Sequence, residues 1–416
     1  MDLTINKTTM ARLFLIIVSA LYVLFVCDQV IGNLQDFSGD EVVGGLTRTL
    51  MIIGAMIGVC ILYFIIFSEQ QIKTSVFFNF FLVWTIIVSI NIWLNTPYLQ
   101  NETNQTIGLI VKQALLHFFL FAFFYAAFKY YGDSLWKLFN YIIVGWYIII
   151  AFTYSVNYSV FGALVLDGST YLLGISYVLL YSLPLALCLK NKFLKWFCVV
   201  VGAIVVLSSI KRGGILAFTF AMLVYYFVHN IYIKKTNHPI RNILSIILSM
   251  IILVTAFVIY DEKANNGLII ERINNLSEDD GSGRGEVMSY MINYIPQLSL
   301  QELIIGHGFE GSREFSPLEL TAHNDFLEAL YDYGLIGLIV YLYFYIILFK
   351  KLRLLIKQKS EYAAPLAAGV ALFCFLSMIS HIIIYLHFAW YAIILGVFEG
   401  MTSEIDTEID IKEELI

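Results

Sequence analysis

The sequence predicts an all-α, polytopic integral membrane protein with about twelve transmembrane helices and one long loop. Three observations predict this fold class. Of the 416 residues, 60% are hydrophobic and only 13% are charged, whereas soluble domains contain about 45–50% apolar and about 25% charged residues. The mean hydropathy is +0.80. The apolar residues also recur in stretches of about 20, the length that an α-helix needs to cross a bilayer.

The predicted spans lie near residues 10–31, 45–67, 74–95, 106–128, 136–155, 171–189, 193–210, 213–229, 242–260, 334–350, 363–382 and 386–400. The first of them reads as a span rather than a signal peptide because no small-residue cleavage site follows it, and residues 363–400 can also be divided elsewhere. About nine helices are therefore expected in residues 1–260, a loop in 261–333, about three helices in 334–400, and an acidic tail in 401–416. Loops as long as 261–333 are usually functional or disordered.

The distribution of lysine and arginine predicts the orientation, because these residues collect in cytoplasmic loops. With a cytoplasmic N-terminus, the alternation of the spans puts seventeen of the 25 lysines and arginines on the cytoplasmic side. The eight on the opposite side are Arg48, Lys112, Lys211, Arg212, Lys263, Arg272, Arg284 and Arg313. Both termini are therefore predicted to be cytoplasmic. Residues 261–333 are predicted to lie outside the cell membrane, where neither ATP nor nucleotide sugars are available.

Two cations stand in a predicted turn on that outer side, within the stretch LSSIKRGGILAF. Lys211 and Arg212 precede Gly213 and Gly214, which permit a tight turn or the close approach of a ligand. A charge at the centre of a membrane helix costs about 2.5–3.5 kcal/mol on insertion scales, and less near the interface. The pair either anchors a helical hairpin by extending to the interface or forms an anion site at the outer membrane surface.

The long loop contains a further arginine among glycines, in EDDGSGRGEVMSYMINYIPQ. A helix is predicted from Glu286 to Tyr294, so Arg284 lies near its N-terminus, where free backbone N–H groups can bind an oxyanion together with the side chain. Downstream, Gly306 and Gly308 flank His307 in a predicted turn. This GxG is not a nucleotide fingerprint, because no βαβ context surrounds it.

The stretch AHNDFLEALYDYG, residues 322–334, predicts a short helix in front of a transmembrane span. Thr321 or Asn324 caps its start, and Gly334 ends it after Tyr333.

His323 is predicted in the first turn of this helix, where the positive helix end disfavours its protonated form. A neutral imidazole beside the arginines predicts a general base, with a structural cap as the alternative. Asp325 and Glu328 lie on the polar face of the same helix.

Four motifs, in this order, resemble the O-antigen polymerase and ligase family: SSIKRGGILAF, SGRGEVM, IIGHGFEG and AHNDFLEALYDYGLIGLIVYLY. These proteins are bacterial inner-membrane glycosyltransferases of the GT-C type. The resemblance covers roughly residues 200–345, and the first 190 residues share only apolar spans with the family. It implies a glycan donor linked to undecaprenyl diphosphate, no metal, and inversion at the anomeric carbon.

The resemblance also implies roles for single residues. Arg212 corresponds to the family's arginine at the membrane surface, Arg284 to its loop arginine and His323 to its loop histidine. Lys211 stands where a neutral residue is common, so which of Lys211 and Arg212 binds phosphate stays open.

The expected chemistry matches these residue types. An acceptor hydroxyl attacks the sugar C1 while a lipid diphosphate leaves with growing negative charge, which the planar fork of arginine can hold through several bonds. His323 would take the proton, oriented by Asp325 or Glu328. Glu286 or Glu310 as the base is the alternative.

Three functions compete. A polymerase, which we favour, joins lipid-linked repeat units of O-antigen or capsular polysaccharide, whereas a ligase transfers the glycan to lipid A–core. A transporter of a lipid-linked or anionic substrate would require paired charges deep in several helices and repeats with broken helices. The sequence shows neither feature. Expected partners are the lipid-linked substrates, membrane lipid and a chain-length regulator protein, with no cofactor and no nucleic acid.

Overall fold

The computed structural model describes residues 6–38, 45–69, 75–95, 103–166, 175–209, 211–234, 239–264, 267, 270–271, 284–309, 311–314, 321–380, 382 and 387–413. These residues form helices and connecting turns, with no strand among them. The predicted all-α class is therefore confirmed for the described part of the chain.

The α-helices are, in chain order, α1 (Lys7–Ser38), α2 (Gly45–Ile66), α3 (Val76–Asn95), α4 (Thr103–Ile110), α5 (Leu116–Leu166), α6 (Ile175–Leu187), α7 (Lys192–Ser208), α8 (Arg212–Phe227), α9 (Pro239–Ala264), α10 (Arg284–Tyr294), α11 (Leu300–Ile305), α12 (Gly311–Glu314), α13 (Asp325–Lys357), α14 (Ala363–Ile379) and α15 (His387–Glu413). Short π-helical segments follow α4 and α8, at Val111–Leu115 and Val228–Ile233, and a 3₁₀ turn at Ile295–Gln297 follows α10.

Each of the twelve predicted spans coincides with a helical segment. Six described helices are long and apolar enough to cross a membrane: Lys7–Gln29, Arg48–Ile66, Val76–Leu94, Ile107–Val156, Gly213–Ile233 and Asp325–Lys357. The fourth has 50 residues and would be about 75 Å long, more than twice the hydrocarbon thickness of about 30 Å. Its backbone leaves helical geometry at Tyr131 (φ −132°, ψ 15°), between the two predicted spans. The count of twelve stays a prediction.

The C-terminal helix α15 packs closely along α5 in the interior of the bundle. A Cβ atom on Gly396 would lie 2.8 Å from the Phe121 carbonyl oxygen, and one on Gly400 would lie 2.8 Å from Phe128 Cβ. Small residues at such positions let helix backbones approach each other in a membrane. The Trp390 ring meets the Tyr22 ring at 4.9 Å. Because residues 388–400 of α15 are buried, this part of the helix belongs to the core of the bundle.

Long-range polar contacts divide the bundle into two ends. At one end, the Asn91 side-chain amide donates to the Ile305 carbonyl (2.8 Å), and the Asn324 amide donates to the Met378 carbonyl (3.4 Å). We call it the loop end.

At the opposite end, Lys7 pairs with Glu69 (2.7 Å) and Lys190 with Glu361 (3.6 Å). We call it the basic end. Each of these contacts joins segments that the sequence places on the same side of the membrane.

Helix α13 begins nine residues before the predicted span at residue 334. Its backbone changes direction at Gly334 (φ 68°, ψ −169°) and then continues as helix to Lys357. The predicted break at Gly334 is therefore present, and the helix expected from the predicted span follows it directly. The predicted loop also contains α10, α11 and α12.

Candidate functional site

Two glycines hold the turn after α11 against the break in α13. Gly306 (φ 85°) and Gly334 (φ 68°) both have left-handed backbone, which glycine adopts without strain. A Cβ atom on Gly306 would lie 2.4 Å from the Asp332 carbonyl oxygen, and one on Gly334 would lie 2.2 Å from the Ile304 carbonyl oxygen. A side chain at either position would force the two backbones apart.

Hydrogen bonds extend this contact along the first half of α13. The His307 N–H donates to the Tyr331 carbonyl (2.8 Å), and the Gly308 N–H donates to the Asp332 carbonyl (3.0 Å). The Ser312 N–H donates to Asp332 Oδ1 at 2.9 Å, and both side chains are buried. The motif IIGHGFEG is thus bound to the motif AHNDFLEALYDYG through backbone groups.

Helix α10 packs on the same part of α13. Val287, Met291, Ala322 and Tyr331 form a small buried cluster. The Tyr331 hydroxyl donates to the Met291 carbonyl at 2.6 Å. Arg284, at the first position of α10, is therefore carried on a helix that is fixed to α13.

His323 immediately precedes the cap of α13. The Asn324 side chain accepts from the N–H groups of Phe326 and Leu327, which identifies Asn324 as the N-cap and confirms one of the two predicted caps. His323 has φ 50°, and its N–H donates to Glu328 Oε1 at 2.8 Å. The prediction of His323 in the first helical turn is wrong, because Asn324 takes the capping position and leaves His323 outside the helix.

Asp325 is completely buried and connects the His323 turn to the end of α14. Its carboxylate accepts from the Tyr341 hydroxyl (2.9 Å) and from the Ile382 N–H (2.9 Å). The Tyr341 hydroxyl also lies 2.8 Å from Ser377 Oγ. These contacts fix the start of α13 beside the last turn of α14.

The predicted orientation of the His323 imidazole by Asp325 or Glu328 stays a prediction. The hydrogen bonds of Asp325 join it to Tyr341 and Ile382, and Glu328 accepts a hydrogen bond from the backbone N–H of His323. Both carboxylates therefore hold the backbone around His323.

The Lys211 turn meets the same end of α14. Lys211 is the residue before α8, and its ammonium lies 5.6 Å from the centroid of the Tyr177 ring. A Cβ atom on Gly213 would lie 3.0 Å from Ile379 Cδ1 and 3.3 Å from the Tyr177 hydroxyl. Because Asn324 bonds to Met378, residues 378 and 379 contact the His323 turn and the Lys211 turn in succession. The structure therefore brings these two predicted site segments to one place.

The arginines stand at helix starts. Arg212 is the first residue of α8 and Arg284 the first of α10, so the predicted helix start near Arg284 is confirmed. The first N–H groups of a helix have no partner within it and can bind an anion. The side chains of both arginines, and Glu310, lie outside the described residues. Glu286 is exposed in the first turn of α10.

His307 is packed rather than exposed on its turn. Its ring stacks on Tyr331 (6.3 Å between centroids), and its Nδ1 lies 3.8 Å from Glu302 Oε1. Burial lowers the pKa of the imidazole, and the nearby carboxylate opposes this shift. The pKa of Glu302 is lowered because its carboxylate accepts from the Ser299 backbone N–H, with a smaller contribution from the Ser299 side chain.

One known protein family matches the region that contains the Lys211, His307 and His323 turns. Residues 196–342 match the family model described as O-antigen ligase. These residues are therefore similar to the O-antigen ligase domain. This match covers about a third of the sequence and includes α8, α10, the His307 turn and the His323 turn, so the predicted resemblance to the O-antigen polymerase and ligase family is confirmed. No curated protein gives a significant match to the chain.

Together with the six candidate spans, this similarity indicates a multi-pass membrane protein with ligase-type or polymerase-type activity on lipid-linked glycans. Within the described residues, no group of three or more His, Cys, Asp or Glu side chains is arranged to hold a metal ion.

Sequence reasoning missed several residues of this assembly: Asn91, Tyr177, Tyr341 and Ser377. Ser377 lies beyond the O-antigen ligase match, and its contact with Tyr341 spans 36 residues of sequence. The one signal in the sequence was a polar group within an apolar helix, which in a membrane is expensive and often functional. The signal shows that a partner is needed but does not identify it.

Proposed function

We propose that this chain is a metal-independent, inverting glycosyltransferase that transfers a glycan from undecaprenyl diphosphate to a sugar hydroxyl at the loop end. The reaction would polymerise repeat units of O-antigen or capsular polysaccharide. The observation that carries the proposal is the meeting of the Lys211 turn and the His323 turn at residues 378 and 379, within and beside the O-antigen ligase domain.

The cations would bind the diphosphate of the donor. Arg212 and Arg284 each begin a helix, so free N–H groups and a guanidinium fork can act on the same phosphate oxygens. The negative charge on the leaving diphosphate grows as the bond to the sugar breaks, and fixed donors stabilise charge where it develops. Lys211 adds a positive charge beside Tyr177. Substitution of each residue decides which of Lys211 and Arg212 binds the phosphate.

His323 would accept the proton of the attacking hydroxyl. The acceptor oxygen forms the new bond to C1 from the face opposite the diphosphate, and the diphosphate leaves with the electron pair of the old C1–O bond. Asp325 and Glu328 would hold the His323 turn in place, Asp325 through Tyr341 and Ile382 and Glu328 through the His323 N–H. Glu286 and Glu310 remain the alternative bases.

The acceptor decides between the two activities of the family. A polymerase transfers the chain to another lipid-linked repeat unit, and a ligase transfers it to lipid A–core. Deleting the gene in its host distinguishes them: single repeat units on the surface indicate lost polymerisation, and long lipid-linked polymer that is not joined to core indicates lost ligation. A chain-length regulator protein is the proposed partner of the polymerase.

A purified enzyme tests the chemistry directly. Lipid-linked repeat units alone should give a ladder of longer products with a metal chelator present, and the anomeric configuration of the new bond should be inverted relative to the donor. Transfer only when lipid A–core is added would establish the ligase instead. No transfer to either acceptor would refute the proposed function.

The proposed orientation puts the loop end in the periplasm or extracellular space of a bacterial inner membrane, with both termini cytoplasmic. The concentration of lysine and arginine at the basic end supports it. In a background without native cysteines, Gln301→Cys, exposed on α11, should react with a membrane-impermeant thiol reagent in intact spheroplasts. Glu361→Cys, exposed at the basic end, should be protected. The opposite labelling pattern would invert the orientation.

A further inference from the structure

The basic end carries a groove along one face of α13. Its volume is about 380 Å³, and its lining residues are Tyr345, Ile346, Phe349, Lys350 and Arg353. Ile346 and Phe349 are half exposed (51% and 49%). The groove therefore combines an apolar surface with two cations at the end of a membrane-spanning helix.

The two cations of the groove differ from other lysines at the same end. Lys7, Lys190 and Lys351 each have a carboxylate partner, in Glu69, Glu361 and Glu399 respectively. Lys350 and Arg353 form no ion pair with any residue in the described part of the chain. The positive charge of the groove is therefore available to an external anion.

Lys351 and the groove lie on different faces of α13. Lys351 is buried and lies 2.9 Å from Glu399 on α15. Each residue of an α-helix advances by about 100°, so Arg353 lies about 200° around α13 from Lys351. The groove therefore faces away from the part of α15 that contains Glu399.

The face that holds the groove continues toward the middle of the span as exposed apolar residues. Ile339, Leu342, Ile346 and Phe349 are all exposed, and their spacing of three or four residues puts them on one side of α13. From Ile339 to Phe349 the helix rises about 15 Å, which is half the hydrocarbon thickness of a bilayer. The cations lie at the outer edge of this surface, at the depth of lipid headgroups.

We propose that this groove binds an anionic phospholipid from the leaflet at the basic end. The lipid phosphate would contact Lys350 and Arg353, and an acyl chain would lie along Ile339, Leu342, Ile346 and Phe349. Basic pockets beside membrane helices attract anionic headgroups at about 1 kcal/mol per cation. A guanidinium can also hold two phosphate oxygens at once. This site is independent of the chemistry at the loop end.

The test measures binding of phosphatidylglycerol and phosphatidylcholine, with identical acyl chains, to the full-length protein in detergent. Native mass spectrometry counts the retained lipid, and a lipid titration followed by thermal unfolding gives the affinity. Wild type should prefer phosphatidylglycerol. The double variant K350Q/R353Q should bind it about 10- to 30-fold more weakly and should bind phosphatidylcholine as wild type does.

The matched control is K137Q/K192Q, which removes two exposed cations of the basic end on other helices. It should keep the affinity for phosphatidylglycerol. An equal loss in both double variants would mean a diffuse charge effect and would refute the site, as would equal binding of the two lipids by wild type. A chain truncated after Ser403 that binds phosphatidylglycerol more tightly than the full chain would identify the acidic tail as the occupant. Unchanged melting of K350Q/R353Q without lipid confirms that this variant is folded.

Discussion

The two ends of the helix bundle use charged side chains in different ways. At the loop end, Asp325, Glu328 and Asp332 are completely buried, and each carboxylate accepts a hydrogen bond from a backbone N–H outside its own helix. At the basic end, Lys190 and Glu361 are 62% and 63% exposed. A buried charge is stable only when its hydrogen bonds are satisfied, whereas an exposed pair gains little from its geometry. The charges at the loop end therefore fix the positions of neighbouring segments, whereas the exposed charges at the basic end mainly determine which side of the membrane that end occupies.

One pair at the basic end departs from this description. Lys351 and Glu399 are 8% exposed and 2.9 Å apart, so they join α13 to α15 inside the bundle. Removing one partner of such a pair leaves an uncompensated buried charge. Burial, rather than location at one end or the other, therefore decides how strongly the loss of a charge affects the protein. Substitutions at buried and exposed positions test this.

The largest effect is expected at His323. His323→Asn should reduce turnover by roughly 10²–10⁴-fold, because asparagine keeps hydrogen bonding but loses the basicity of imidazole. Asparagine also tolerates the left-handed backbone found at this position, so membrane insertion and donor binding should remain normal. The measurement is the rate of glycan transfer with a lipid-linked donor across pH. Turnover near wild type would make Glu286 or Glu310 the next candidate base.

Substitution of the arginines should cause the next largest loss of activity. Arg284→Lys keeps the charge and loses the fork, so transfer should fall by about 10²-fold, which is similar to the loss of one fixed donor of an oxyanion site. In the Lys211 turn, Arg212→Ala should reduce activity more than Lys211→Ala. Product length and amount at wild-type level in Arg284→Lys would remove this residue from the diphosphate site. The reverse order in the turn would assign phosphate binding to Lys211.

A smaller effect with a distinct pattern is expected at Asp325. Asp325→Leu should lower kcat by about 10²-fold with little change in KM for the donor, since misplacement of a catalytic group by about 1 Å has effects of this size. Asp325→Asn should recover most of the rate, because an amide can still accept from the Ile382 N–H and donate to the Tyr341 hydroxyl. If asparagine is as inactive as leucine, Asp325 takes part in the chemistry instead of holding the turn.

Some features of the loop end could be predicted from the local sequence, and others could not. The start of α10, the Asn324 cap and the break at Gly334 follow from local chemistry, and all three are present. The packing of the Gly306 turn against Gly334, by contrast, joins residues that are 28 positions apart. The partners of Asp325 lie 16 and 57 residues along the chain. Contacts at such separations depend on helix packing, for which a single sequence contains no direct signal.

His307 should produce a modest dependence of stability on pH. Burial lowers its pKa in the folded protein, so the unfolded chain binds more protons than the folded one just below the ordinary histidine pKa of about 6.5. The contribution of neutral His307 to the free energy of unfolding should therefore be fully present above that pH and decrease as the pH falls below it. Thermal unfolding in detergent between pH 7.5 and pH 5 should show this trend in wild type. His307→Gln should weaken the trend, and an unchanged slope would assign it to other groups.

The smallest effect is expected at the exposed pair of the basic end. Lys190→Gln, Glu361→Gln and the double variant should each change unfolding stability by no more than about 1 kcal/mol. Transfer activity should remain at the wild-type level, and added salt should remove any difference. A loss of activity comparable to that of Asp325→Leu in any of the three variants would show that exposed and buried charges are equivalent in this protein.

The contact between Gly306 and Gly334 has a consequence for exchanging parts between related enzymes. Any substitution at either glycine would place a carbon within 2.4 Å of the opposing backbone, so the turn and the break in α13 form one module. A chimera with a boundary at residue 333, where the apolar stretch begins, would combine two halves of this contact from different parents. The unit of exchange runs from Leu300, at the start of α11, through Gly337, where a Cβ atom would lie 2.2 Å from Tyr333 Cβ. A chimera should therefore insert and fold normally only when this whole segment comes from one parent.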